Sequence, residues 1–139
     1  MTGQRQKPFE EILGYLEGKR KVVVMGCGIC ATIFHTGGIP EVEEMARKLT
    51  EAGKEVVAKI GLPFGVACCY LPMSSMFVDQ HREAFEECDA VLMMSCGDGL
   101  QVVRGYLDSL GIVKPVYPAN DAMGVMGEGP QRFSEKCQW

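Results

Sequence analysis

The chain of 139 residues carries 14 Lys and Arg against 18 Asp and Glu, a formal charge of -4, and is 47% hydrophobic. That length suits one domain with a real core, and the longest basic cluster, Lys19-Arg20-Lys21, is too short to track a phosphate backbone, so no nucleic acid is expected as partner. No apolar run reaches the roughly 18 residues a membrane span needs, and Met1 to Pro8 is polar without the apolar core of a signal peptide, so a soluble, cytoplasmic protein is expected.

Phe9, Ile12, Leu13 and Leu16 recur at helical spacing behind Pro8 and predict a short amphipathic helix over 8–17, ended by Gly18. Lys21 to Met25 is a continuous apolar run suited to a parallel strand buried on both faces. It leads straight into Gly26-Cys-Gly-Ile-Cys-Ala31, and 26–38 reads as a loop. Pro40 opens a helix over 41–52, with Glu41, Glu43 and Glu44 near its start and Gly53 behind it. Glu55 to Ile60 is the second strand; Gly61-Leu-Pro-Phe-Gly65 breaks it before Val66-Ala-Cys-Cys-Tyr70, which is expected near the sheet edge where that strand ends. A third helix over 76–88 carries Phe77, His81, Ala84, Phe85 and Cys88 on one stripe, and a third strand over 89–95 runs into Cys96-Gly-Asp-Gly99. A helix over 100–110 capped by Gly111 and a short strand over 115–117 follow, and 118–139 reads as a loop-like tail rich in Gly and Pro.

Strands alternating with helices imply a single α/β domain over 1–139: an open, mostly parallel, Rossmann-like sheet of about four strands with flanking helices. In such sheets ligands bind beyond the carboxyl ends of the strands, where strand order reverses. Cys27 and Cys30 follow the first strand, Cys68 and Cys69 the second, and Cys96 the third. An order of second, first, third, fourth brings all five to one edge of the sheet.

Seven cysteines are many for a reducing compartment, where Cys clusters more often bind metal or do redox chemistry than form disulfides, and an odd number fits a full disulfide framework poorly. Cys27-x-x-Cys30 serves zinc sites, iron-sulfur clusters and dithiols alike. A thioredoxin-like dithiol fits least, because Thr36-Gly-Gly-Ile-Pro40 interrupts any helix beginning at the motif. Four thiolates from three strand ends suit [4Fe-4S] or zinc equally by number. Successive side chains of an extended segment point to opposite sides, so one of Cys68 and Cys69 is expected to ligate, Cys69 being preferred and Cys68 the alternative. Met25, Ile29, Met93 and Met94 surround the ligands with apolar bulk. Cys88 and His81 read as core, and His35 as a surface or capping residue. Gly26-x-Gly28-x-x-Ala31 also matches a dinucleotide fingerprint, but no helix start and no acid at the end of the second strand accompany it.

Met25-Gly-Cys-Gly-Ile-Cys-Ala-Thr32, Thr36-Gly-Gly38 with its acidic helix, Asp89-Ala-Val-Leu-Met-Met-Ser-Cys-Gly-Asp-Gly-Leu-Gln101, Pro115-Val-Tyr-Pro118 and Glu135-Lys-Cys137 together resemble the methylenetetrahydrofolate reductase C-terminal domain, the MetV-type small subunit of anaerobes. The resemblance spans nearly the whole chain. It implies a non-catalytic, iron-sulfur electron-transfer subunit of an oxidoreductase complex in one-carbon metabolism. Its partner would be the flavoprotein catalytic subunit that reduces methylenetetrahydrofolate, and the FMN or FAD would reside in that partner. By motif, Cys27, Cys30 and Cys96 carry over as [4Fe-4S] ligands, with Cys69 or Cys68 as the fourth. Family members often have a third cysteine in the first motif where this chain has Phe34, which is why the fourth ligand is sought at Cys68 or Cys69. They also tend to extend past Cys137 into a cysteine-rich tail with a further metal site; this chain stops at Gln138-Trp139, so either the sequence is truncated or this member lacks that second site, which Cys137 alone cannot build. The alternative from another class is a zinc-stabilised structural module that only holds its partner.

Overall fold

The computed structural model describes residues 2–126 and 133–138. In chain order its elements are β1 (Thr2–Gln6), α1 (Phe9–Tyr15), β2 (Lys21–Met25), α2 (Cys30–Ile33), α3 (Ile39–Glu51), β3 (Glu55–Ile60), α4 (Leu71–Gln80), α5 (Arg82–Glu87), β4 (Ala90–Met93), α6 (Gly97–Ser109), β5 (Val116–Pro118), β6 (Asn120–Met126) and β7 (Phe133–Gln138). Four of the strands make an all-parallel sheet in the order β3-β2-β4-β5, flanked by helices: the Rossmann-like α/β arrangement and strand order expected.

The central strands are apolar throughout because both of their faces are covered. Alternate residues go to opposite layers. Val23, Met25, Val91 and Met93 join Val78 of α4, Phe85 of α5 and Leu100, Val103 and Leu107 of α6 in one buried cluster. Val22, Val24, Ala90 and Leu92 join Ile12 and Leu16 at α1 and Val42, Met45 and Leu49 of α3 in the other. Val42, Met45, Ala46 and Leu49 recur at helical spacing, so α3 buries one stripe and leaves Glu43, Glu44 and Arg47 outside. Gly53 (φ 89°) and Gly111 (φ 77°) follow α3 and α6 in the left-handed conformation that ends helices.

Several sequence expectations are corrected. The loop over 26–38 contains one helical turn, α2. The helix expected over 76–88 is two helices: it begins five residues earlier, at Leu71, and breaks at His81. There the imidazole Nδ1 donates to the Phe77 carbonyl at 2.9 Å, the acceptor a continuing α-helix would give to the His81 N–H, which instead bonds Val78 O at 3.1 Å. The last helix starts at Gly97, so Cys96 is its N-cap. The third strand is confined to Ala90–Met93, and the segment 66–70 forms turns with no strand of its own.

The loop-like tail is the largest correction. β6 pairs antiparallel with β1 and with β7, making a second sheet of order β1-β6-β7. Beside the backbone ladder, β1 and β6 are held together by Lys7 N–H to Ala119 O at 2.8 Å, by the buried Asn120 Nδ2 donating to Gln4 Oε1 at 2.8 Å, and by the Lys7–Asp121 ion pair. β1 also lies against α2, so the small sheet stands beside the first cysteine loop.

Candidate functional site

Three loops leave the carboxyl ends of β2, β3 and β4 and interlock. Gly26 N–H bonds Ile60 O at 2.9 Å and Met94 N–H bonds Met25 O at 2.7 Å, carrying the sheet's ladder one step further. Beyond that step the first loop closes on itself through Cys27 N–H to Gly37 O (2.9 Å), and it binds the second through Gly28 N–H to Val66 O (2.9 Å) and Gly65 N–H to Gly28 O (2.8 Å). The backbones approach so closely that a Cβ on Gly28 would stand 2.0 Å from Pro63 O, and one on Gly37 1.9 Å from Met94 O. The glycines of the fingerprint-like motif therefore serve loop packing. Their N–H groups are occupied by carbonyls and face no open phosphate site.

This packing gathers the cysteines. Cys27, Cys68 and Cys96 are 4%, 0% and 6% exposed, Cys30 is half-buried at the start of α2, and Cys69 is exposed. The Cys68 thiol donates to Cys27, which lowers the Cys27 pKa to about 5 against the opposing effect of burial; the N–H groups of Cys68, Ile29 and Ala31 add to the effect. Cys68 is pushed well up, by that same hydrogen bond first and by burial second. The two thiols share that hydrogen bond and titrate as a pair. Burial raises Cys96, opposed by the N–H groups of Gly99 and Asp98 at the N-terminus of α6. Burial raises Cys69 to about 11, and it also feels the charges of Cys96, Cys27 and Cys30, which places it beside the same group.

The structure therefore brings Cys27, Cys30, Cys68, Cys69 and Cys96 to one edge of the sheet, and none of the six described cysteines is in a disulfide. As placed, no three His, Cys, Asp or Glu side chains among the described residues close into a single-ion cage. Cys88 lies elsewhere, at the amino end of β4, with Sγ donating to Phe85 O at 3.2 Å and its pKa raised to about 11 by burial. The Cys137 side chain falls outside the described residues. His35 is exposed, in a left-handed conformation (φ 55°) that ends α2, and His81 is half-buried at the α4–α5 break. Ser95, 2% exposed between β4 and Cys96, was missed by sequence reasoning, where it was the last residue of a strand.

The donor set fits a thiolate-ligated metal centre: soft sulfur ligands, apolar packing from Met25 and Met93 in the same buried cluster as Cys27 and Cys68, and backbone N–H groups aimed at two of the sulfurs. A groove of about 610 Å³ between α3 and the edge strand β3 is a different kind of place. Its charges, Arg47 with Glu44 and Glu51, and Lys59 with Glu43, neutralise one another at the surface.

Compared with family models, with curated proteins and with solved structures, the chain matches none. Among the described residues no helix is long and apolar enough to cross a membrane.

Proposed function

We propose that the chain is a cytoplasmic iron-sulfur electron-transfer subunit, holding a [4Fe-4S] cluster on Cys27, Cys30, Cys96 and one of Cys68 and Cys69, and serving the flavin-containing catalytic subunit of a methylenetetrahydrofolate reductase. The observation that carries the metal centre is the convergence of five cysteines from three strand ends, with N–H groups directed at Cys27 and Cys96. The identity of the partner rests on the motif resemblance. When bound, the cluster supplies one-electron transfer. The chain's residues hold it: the loops fix the sulfurs, the methionines exclude water, and N–H groups offset the charge on the sulfurs.

An exposed apolar rim supports docking to another protein. Ile33, Ile39, Phe64, Tyr70, Leu71 and Met76 are 42–76% exposed on the cysteine loops and the helices behind them. From Gly61 to Val78 the chain carries no charged residue. Such a surface is commonly a protein-contact site.

Protein purified without oxygen is expected to be brown, with about four iron per chain. Colourless protein with one tightly held zinc and no iron would replace this reading with the structural module. With the flavoprotein present, a cluster-less Cys27→Ala variant is expected to bind while failing to pass electrons to the flavin. Transfer at the full rate through that variant would leave the chain a scaffold.

A further inference from the structure

Cys68 is fully buried, and its sulfur occupies the space a side chain on Gly99 would need: a Cβ there would stand 2.3 Å from Cys68 Sγ and 2.9 Å from Ser95 Oγ. Gly99 lies in the first turn of α6, where alanine would favour the helix by about 1 kcal/mol. The missing methyl group is therefore room kept for the sulfur. The Ser95 hydroxyl has one hydrogen, given to the Cys96 carbonyl at 3.0 Å, and the Cys68 sulfur lines the same space beside Gly99 as a second acceptor within its reach. Because that carbonyl already accepts the Leu100 N–H at 3.2 Å, it stays satisfied when the hydroxyl turns away. A sulfur that has released its proton to a metal is the more negative acceptor, and draws the hydroxyl. Cys69, exposed, has no such seat.

We propose that Ser95 is a positioning residue for the metal centre: its buried hydroxyl donates to the Cys68 sulfur in the space left by Gly99, selecting Cys68 over Cys69 as fourth ligand and tuning the reduction potential. This rests on the iron-sulfur reading above. Charge on the ligand sulfurs grows when a cluster takes up an electron, so a hydrogen bond to one of them favours the reduced state and raises the potential.

The test uses the full chain purified without oxygen, with iron content, visible spectrum and a reductive titration followed by electron paramagnetic resonance. Cys68→Ala is expected to lose the cluster and Cys69→Ala to keep it; the reverse overturns the inference. Ser95→Ala is expected to keep its iron and shift the potential to more negative values, with Ser95→Thr, which retains the hydroxyl, close to wild type. A wild-type potential in iron-replete Ser95→Ala overturns the inference. If Ser95→Ala loses the cluster, retention in Ser95→Thr supports the hydroxyl's role. Loss in both, with native circular dichroism, overturns it. Failure of the underlying reading is distinguishable, because it shows as wild-type protein without iron before any substitution is made.

Discussion

Cys68 and Cys88 are equally buried, both fully, in the same hydrophobic cluster, at opposite ends of one parallel sheet. Cys68 meets Cys27 and Ser95 where three loops converge; Cys88 meets the Phe85 carbonyl and apolar neighbours. Burial pushes both thiols up. What separates a candidate ligand from a small core residue is therefore its company, and the topology of the sheet supplies that company at the carboxyl edge only.

The sharpest way to break this comparison is to remove sulfurs at each end. Cys27→Ala or Cys96→Ala is expected to take iron from about four per chain to none, while Cys88→Ala keeps all of it. Equal loss from Cys88→Ala, in a metal assay, would mean that the two ends do not differ as described. Next in size is Phe85→Ala, which empties a fully buried site in the amino half of the same cluster. Denaturant unfolding should show a loss of about 3–5 kcal/mol with iron binding retained in the folded fraction. Gly28→Ala sharpens the contrast from the other end. Its Cβ would overlap Pro63 O, so a loss of about 1–3 kcal/mol should come together with a loss of iron, and a normal iron content would show the loops to be less tightly coupled than their hydrogen bonds imply.

The smallest effect belongs to Asp89, at the amino end of β4, whose carboxylate accepts the Arg20 and Lys21 N–H groups at 3.0 Å each. Those bonds, Lys21 first, hold its pKa below the ordinary value. The stabilisation is thus complete above the unfolded-state pKa of about 3.9 and disappears as pH falls through the lower folded-state value. Asp89→Asn should slightly flatten the acid limb of a stability-versus-pH curve and leave the cysteine edge untouched. A change in iron content would contradict that separation.

The parallel sheet was legible because continuous apolar runs such as Val22-Val-Val-Met25 and Ala90-Val-Leu-Met93 have one economical use, the middle of a two-sided sheet. From them followed the strand order and the edge to which the cysteines go. The second sheet was not legible. Thr2-Gly-Gln-Arg-Gln6 has no apolar alternation, and its pairing with β6 depends on backbone bonds and on amide and ionic contacts made across the length of the chain. The split at His81 arises from a ring competing for a carbonyl, which helical periodicity does not register. For Cys68 and Cys69, alternation along an extended segment is expected to turn one in and the other out; the segment is a turn instead, and the packing against Gly99 shows that Cys68 is the one turned in.

β1 pairs with β6 from Thr2↔Val125 to Gln6↔Asn120, so the first strand of the chain waits for one of the last. Joining ends so distant costs loop-closure entropy that nearer contacts avoid, and the order of assembly follows: the parallel sheet first, the chain's two ends afterwards. Pulse-labelled hydrogen exchange during refolding should protect Val23 and Val91 before Gln4, and simultaneous protection would refute this order. Since β1 lies against α2, which begins at Cys30, the wall beside the first cysteine loop is the part fitted late. On the iron-sulfur reading proposed above, the interval in which the thiols are already gathered and still open on one side would be when iron and sulfide have their easiest way in.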